Sequence, residues 1–180
     1  RIYMKLNNKN IFIQLINAAN NEALLSKVPH RTFLDLAIVY RSTESIITDV
    51  ETFSEEELFF FGLNNTKRTF DLEIMPIYSA FEDSSNQYDD DLIMSMKTIP
   101  AEEQLYVATN KKTHTFGAAA LLYPEMFATL ASKLDSSLYI LPSSIHELIV
   151  ISASAFCGIE PQYLKMMVES VNFNEVAESE

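Results

Sequence analysis

The hydrophobic and polar positions change rhythm several times along the chain, and each change predicts an element. In NIFIQLINAANNEALLSKVP, Phe12, Leu15, Ile16 and Ala19 recur at helical spacing, then Leu24, Leu25 and Val28, with Pro29 as a stop; this predicts one or two short helices. TFLDLAIVY, Thr32 to Tyr40, is continuous apolar material interrupted by Asp35 and predicts a buried strand. SIITDVETFSEEELFFFGLNN holds two capping boxes, Thr48 with Glu51 and Ser54 with Glu57, in which a hydroxyl takes a free helix amide and the acid reaches back. The second helix should carry Glu55, Glu56 and Glu57 at its start and Lys67 with Arg68 near its end, the charge order that suits a helix dipole.

Pro76 confines DLEIMPIYSA to an edge strand or an irregular stretch. FEDSSNQYDDD, Phe81 to Asp91, has little to bury and reads as a solvated loop or linker. Leu105–Thr109 and Phe116–Tyr123 flank a polar turn and predict a hairpin, with Gly117 allowing a bulge or a close approach. PEMFATLASKLD should be a helix starting at Pro124, its core face formed by Met126, Phe127, Leu130 and Leu134. SSLYIL and ELIVIS predict strands, and EPQYLKMMVESVN a last helix.

This order predicts an α+β fold: a mixed, mainly antiparallel sheet with helices packed on one side. Strand, helix and strand over Phe116 to Ile140 also allow one parallel crossover. Two organisations fit: an N-terminal lobe over 1–80, an acidic loop or linker over 81–100 and a C-terminal lobe over 101–180, or one compact domain. A start at Arg1 without methionine suggests a piece of a longer protein.

Composition narrows the function classes. A hydrophobic fraction of 48% over 180 residues supports a sizeable core. The formal charge of −12 disfavours nucleic acid and anionic membranes, so the expected partner is a protein or a second copy of the chain. Cys157, the only cysteine, allows no intrachain disulfide and reads as buried between Phe156 and Gly158. No apolar run reaches the ~18 residues of a membrane span. Only three glycines are present, far apart, which leaves no phosphate-cradling loop. His30, His114 and His146 lie in separate segments, so neither metal nor cofactor is expected. Asp89, Asp90 and Asp91 lack the pattern of a calcium loop and read as a solvated charge run, while Met94, Met96, Met126, Met166 and Met167 read as gap-filling core.

Candidate chemistry concentrates in Pro142-Ser143-Ser144-Ile145-His146-Glu147. One reading is structural, a capping box with Ser144 as cap and Glu147 as its reciprocal acid. The other is a hydrolase, with Ser144 or Ser143 as nucleophile, His146 as general base and Glu147 or Asp35 as the orienting acid. A small-ligand site would gather Asn65, Asn110 and the turn at Pro142 to Glu147.

RTFLDLAIVYR, GLNNTKRTF, LYVATNKKTHTFGAAALLYPE, LYILPSSIHELIVI and VNFNEVA together resemble the signature segments of an uncharacterised bacterial family, a domain of unknown function. The resemblance implies a cytoplasmic bacterial protein, usually longer at both ends, and implies no activity, substrate or cofactor. Asn65, Asn110, Ser143, Ser144, His146, Glu147 and Asn172 match its polar positions. The expected role is therefore a non-catalytic interaction or regulatory module, with the hydrolase and the ligand binder as alternatives.

Overall fold

The structure is a computed structural model describing residues 7–48, 52–83, 90–155, 160, 162, 163 and 166. The described chain forms two compact units that meet in sequence between Asp71 and Leu72. Both are built on antiparallel sheets with helices alongside, so the α+β class expected from the element order holds.

The first unit has a three-stranded sheet in the order β1-β3-β2, from β1 (Phe12–Asn17), β2 (His30–Phe33) and β3 (Leu36–Arg41). The helix expected at Phe12 is instead β1. Ile11 to Ile16 are all buried, including the Ile13 and Gln14 positions that a one-sided helix would leave outside. A run buried on both faces is a strand signal that helical spacing mimics over one turn. The short helix α1 (Glu22–Leu25) does follow.

The single strand expected over Thr32 to Tyr40 is divided. Leu34 and Asp35 form a two-residue turn between β2 and β3, with Phe33 paired to Leu36. Leu34 takes φ 55°, a left-handed conformation that costs a residue with a Cβ about 1–2 kcal/mol. Turns of this kind usually announce themselves with Gly or Asn.

Helix α2 (Glu55–Thr69) starts as its sequence specifies: Ser54 Oγ accepts the Glu57 amide at 3.2 Å, and the Glu57 carboxylate accepts the Ser54 amide at 2.8 Å. The other expected box, at Thr48, includes residues outside those described. Leu58, Gly62, Asn65 and Thr66 are the buried positions of α2, a stripe at the spacing of one helix face. That face closes the outer edge of β1. Thr66 Oγ1 accepts the Ile13 amide at 2.9 Å, and Asn65 Nδ2 donates to the carbonyls of Asn8 and Ile11 at 2.6 and 3.0 Å.

A polar clamp fixes the start of α2. Arg31 donates Nε and Nη2 to the two Glu55 oxygens at 2.8 and 2.9 Å, its guanidinium lies 4.0 Å from the Phe59 ring centroid, and the fully buried Tyr40 donates its hydroxyl to Glu55. Burial, and then the bond to Glu55, hold the Tyr40 phenol far above its ordinary range, so it stays a donor. The Arg31 hydrogen bond leads in holding Glu55 below its ordinary 4.5, against partial desolvation. A depressed carboxyl contributes stability that is present above its unfolded-state pKa and lost as pH falls through its folded one. Replacing Glu55 with Gln should therefore flatten the acid limb of the stability curve below pH 4.5. Partial exposure limits the effect to about 1 kcal/mol or less; denaturant midpoints measured against pH check it.

The second unit has a four-stranded sheet in the order β4-β5-β7-β6, from β4 (Leu72–Pro76), β5 (Leu105–Asn110), β6 (Leu138–Pro142) and β7 (Glu147–Ser152). β4 is an edge strand, as Pro76 requires. Helices α3 (Ile77–Asp83) and α4 (Asp90–Lys97) occupy both ends of the segment read as a loop, while residues 84–89 lie outside those described. The stretch 81–91 holds only the end of one helix and the start of the next; Ile93, the buried residue of α4, lies just beyond it, and Asp90 and Asp91 are exposed in the first turn.

The hairpin expected over Leu105 to Tyr123 does not form. β5 pairs with β4 and β7, and Gly117–Leu122 is a 3-10 helix with Gly117, Ala118, Ala119 and Ala120 buried. Without a second strand there, the parallel crossover over Phe116 to Ile140 is also absent. Helix α5 (Pro124–Leu134) follows with Pro at its first position; Phe127 and Leu130 are buried, Met126 and Leu134 half-buried. The last predicted helix falls mostly outside the described residues. Of the methionines expected in the core, Met94 and Met166 are instead exposed, at 66% and 61%.

Candidate functional site

Asn110, Ser144 and His146, candidates of the second unit, come together where the β6–β7 connection meets the end of β5. Ser144 sits in that connection: its amide donates to the Glu147 carbonyl at 3.2 Å, and its Oγ accepts the His146 amide at 3.0 Å. A serine tied to the amide two residues on makes a local turn. The capping box expected here is thus replaced. No helix starts at Ser144, Glu147 opens β7 opposite Thr109, and the hydroxyl serves His146 rather than Glu147.

His146 is a second anchor. Its Nδ1 accepts the Phe116 amide at 3.2 Å, which in the neutral ring places the proton on Nε2. Its carbonyl accepts the Gly117 amide at 3.0 Å and the Thr109 hydroxyl at 3.1 Å. The ring lies 5.5 Å from that of Phe116, centroid to centroid.

Asn110 completes the node from the end of β5. Its Oδ1 accepts the amides of Lys112 and Thr113 at 3.2 and 3.4 Å, and its carbonyl accepts the His114 amide at 2.7 Å. The loop so coiled contains two left-handed residues, His114 at φ 51° and Phe116 at φ 55°. Each costs about 1–2 kcal/mol, so the bonds from Asn110 and His146 hold a conformation the loop would not adopt alone. Gly117 makes the approach feasible. A Cβ there would lie 2.4 Å from Thr109 Cα, 2.6 Å from the His146 carbonyl oxygen and 2.7 Å from the Asn110 nitrogen.

The other candidates have different surroundings. Ser143, within the same connection, and Glu147, at the start of β7, are half-buried. Asn65 belongs to the first unit and binds main-chain carbonyls beside β1. Asp35 is exposed in the β2–β3 turn. Asn172 and Cys157 lie outside the described residues. Among those residues, no group of His, Cys, Asp and Glu side chains is placed to hold a metal ion, and no helix is long and apolar enough to cross a membrane.

One feature of the first unit was not visible in the sequence. An open groove of about 500 Å³ is lined by Ala18, Glu22, Leu25, His30, Leu34 and Asp35, among others. It draws on a 3-10 turn, α1, the start of β2 and the hairpin tip. Reading Leu34 and Asp35 as mid-strand hid it.

The two units define a class: an α+β protein of antiparallel sheets, in the second of which Ser144, His146, Asn110 and Gly117 come together to shape main chain. The chain belongs to a family of unknown function, DUF5688, whose model matches residues 3–180. The resemblance read from the signature segments is thus to a real family of uncharacterised proteins. No curated protein and no solved structure matches the chain.

Proposed function

We propose that the chain is a non-catalytic interaction or regulatory module of a bacterial cytoplasmic protein. The observation that supports this is the use made of Ser144 and His146, each of which spends a side-chain acceptor on a main-chain amide. A serine nucleophile needs its hydroxyl directed at an imidazole nitrogen that is open to take the proton, with a third group orienting the base. Here Nδ1 of His146 is occupied by the Phe116 amide, and Ser144 Oγ is turned toward the His146 amide. Exposed Leu92, Met94 and Ile99, at 48%, 66% and 39%, supply apolar surface in the second unit for a protein partner or a second copy.

Activated-ester hydrolysis by the wild-type chain and by Ser144→Ala tests the reading. Both should turn over at the same background rate, while Ser144→Ala should lower stability by about 1 kcal/mol through the lost turn bond, read from the denaturant midpoint. A wild-type acyl-enzyme burst that vanishes in Ser144→Ala, with the fold intact, would replace the module with the hydrolase.

A further inference from the structure

We propose that β6 is a self-pairing edge: two copies of the chain join their second units through antiparallel β6–β6 contact, making one continuous sheet. The inference rests on the main chain of β6 and not on the reading above, because a hydrolase could pair in the same way.

β6 closes one side of the β4-β5-β7-β6 sheet, and its strand neighbour is β7. The Ser137 carbonyl accepts the Ala153 amide at 2.8 Å, one step beyond the Leu138–Ser152 pair of the same register. Opposed residues of an antiparallel pair alternate between exchanging hydrogen bonds and turning their groups outward. Tyr139 and Leu141 therefore bond to β7, while the main-chain groups of Leu138, Ile140 and Pro142 point away from it. Among the described residues, no hydrogen bond reaches the outward groups of Leu138 and Ile140.

Proteins guard an open edge with charge, proline or a covering element. In the first unit α2 covers β1. In the second, β4 carries Pro76, and its Glu73 is paired with Lys111 at 3.0 Å. β6 is LYILP, without a charged residue and with its one proline at the last position.

A second copy matches this edge. With a two-fold axis between the two Ile140 residues, these exchange both bonds and each Leu138 N–H meets the partner's Pro142 carbonyl. The absent proline N–H then leaves no donor unmatched. Tyr139 faces the partner's Leu141, an aromatic and aliphatic cross-strand pair, and no like charges are opposed. Two five-residue strands cover less than the ~1,200 Å² of a standard interface, so the dimer should be weak, with a dissociation constant on the order of 100 μM. The charge of −12 on each copy repels at long range, and salt screens that repulsion, so association should strengthen with salt. A cationic extended partner would show the opposite dependence.

Sedimentation velocity of the full chain from roughly 5 to 500 μM tests this. The average mass should rise toward the dimer, and the dissociation constant should fall roughly threefold between low salt and about 0.3 M NaCl. Ile140→Pro removes an N–H that bonds nothing in β7, a change an edge tolerates, and should stay monomeric throughout. The double variant Leu92→Ser with Met94→Ser, on exposed positions of α4, should dimerise as the wild type does. Amide exchange in the wild-type chain decides the matter should Ile140→Pro fail to fold. Protection at Leu138 and Ile140 should rise severalfold with protein concentration, whereas Tyr139 and Leu141, already bonded to β7, should not change. A chain that stays monomeric at high concentration and high salt would overturn the proposal. So would exchange at Leu138 and Ile140 that ignores concentration, or a dimer lost in the α4 variant and kept in Ile140→Pro. Ester hydrolysis dependent on Ser144 would leave the pairing untouched, and a monomeric chain would leave the module standing, so the two readings fail separately.

Discussion

Gly117→Ala is expected to be the most damaging single-methyl change in the second unit, lowering stability by about 3–5 kcal/mol or preventing that unit from folding. The added Cβ would lie 2.4 Å from Thr109 Cα, 2.6 Å from the His146 carbonyl oxygen and 2.7 Å from the Asn110 nitrogen. All three are main-chain atoms of β5 and of the β6–β7 connection, so no rotamer change relieves the overlap. Moving the 3-10 helix outward would break the Gly117 to His146 bond at 3.0 Å and disturb the Phe116 bond to His146 Nδ1 at 3.2 Å. Gly62→Ala is the control. Its Cβ would come within 2.8 Å of Ile13 Cγ1, a side-chain atom able to shift, and alanine's helix propensity returns about 1 kcal/mol. Denaturant midpoints of the two variants should separate clearly. A Gly117→Ala chain with a wild-type midpoint would show that the node is not as tight as described.

Thr66→Val tests the first unit in the same terms and should cost about 2 kcal/mol, although the two side chains have nearly the same shape. Thr66 is fully buried and its hydroxyl oxygen accepts the Ile13 amide at 2.9 Å. Valine leaves that amide facing a methyl group inside the protein, and a buried donor without an acceptor bears its whole desolvation cost. Thr66→Ser, which keeps the oxygen, should recover most of the loss. Amide hydrogen exchange at Ile13 gives a second readout: protection should fall in the valine variant and return in the serine variant. Unchanged protection in Thr66→Val would remove the proposed bond.

Elements specified by local chemistry are legible in the sequence. The Ser54–Glu57 box and the acids following it mark the start of α2, Pro124 marks the start of α5, and Pro76 places β4 at an edge. Elements whose identity depends on partners are not. Ile11 to Ile16 are apolar except for Gln14 and buried in both phases, so one-turn helical spacing and a strand covered on both faces look alike. The GAAALL run, where a strand was expected, contains no β-branched residue and forms a 3-10 helix. The β2–β3 turn is carried by Leu34, a residue type with no turn signature.

The candidate site divides in the same way. Asn110, Gly117, Ser144 and His146, which sequence resemblance gathers, do come together in space. Spacing favoured a backbone-ordering role for the serine, histidine and glutamate but proposed a cap with Glu147 as reciprocal acid, where the hydroxyl instead takes the His146 amide. Only hydrogen-bond partners separate those cases. Asn65 looked like a site residue for the same reason that it is buried: its amide satisfies carbonyls 57 and 54 positions away in sequence.

The sealing of the β1 edge by α2 also constrains the order of assembly. The hydroxyl that protects the Ile13 amide arrives 53 residues later in the chain, so a nascent or partly refolded N-terminal hairpin presents a bare ladder of donors and acceptors to any neighbouring copy. Aggregation during refolding is therefore a hazard of the interval before α2 docks, and it subsides once that helix is in place.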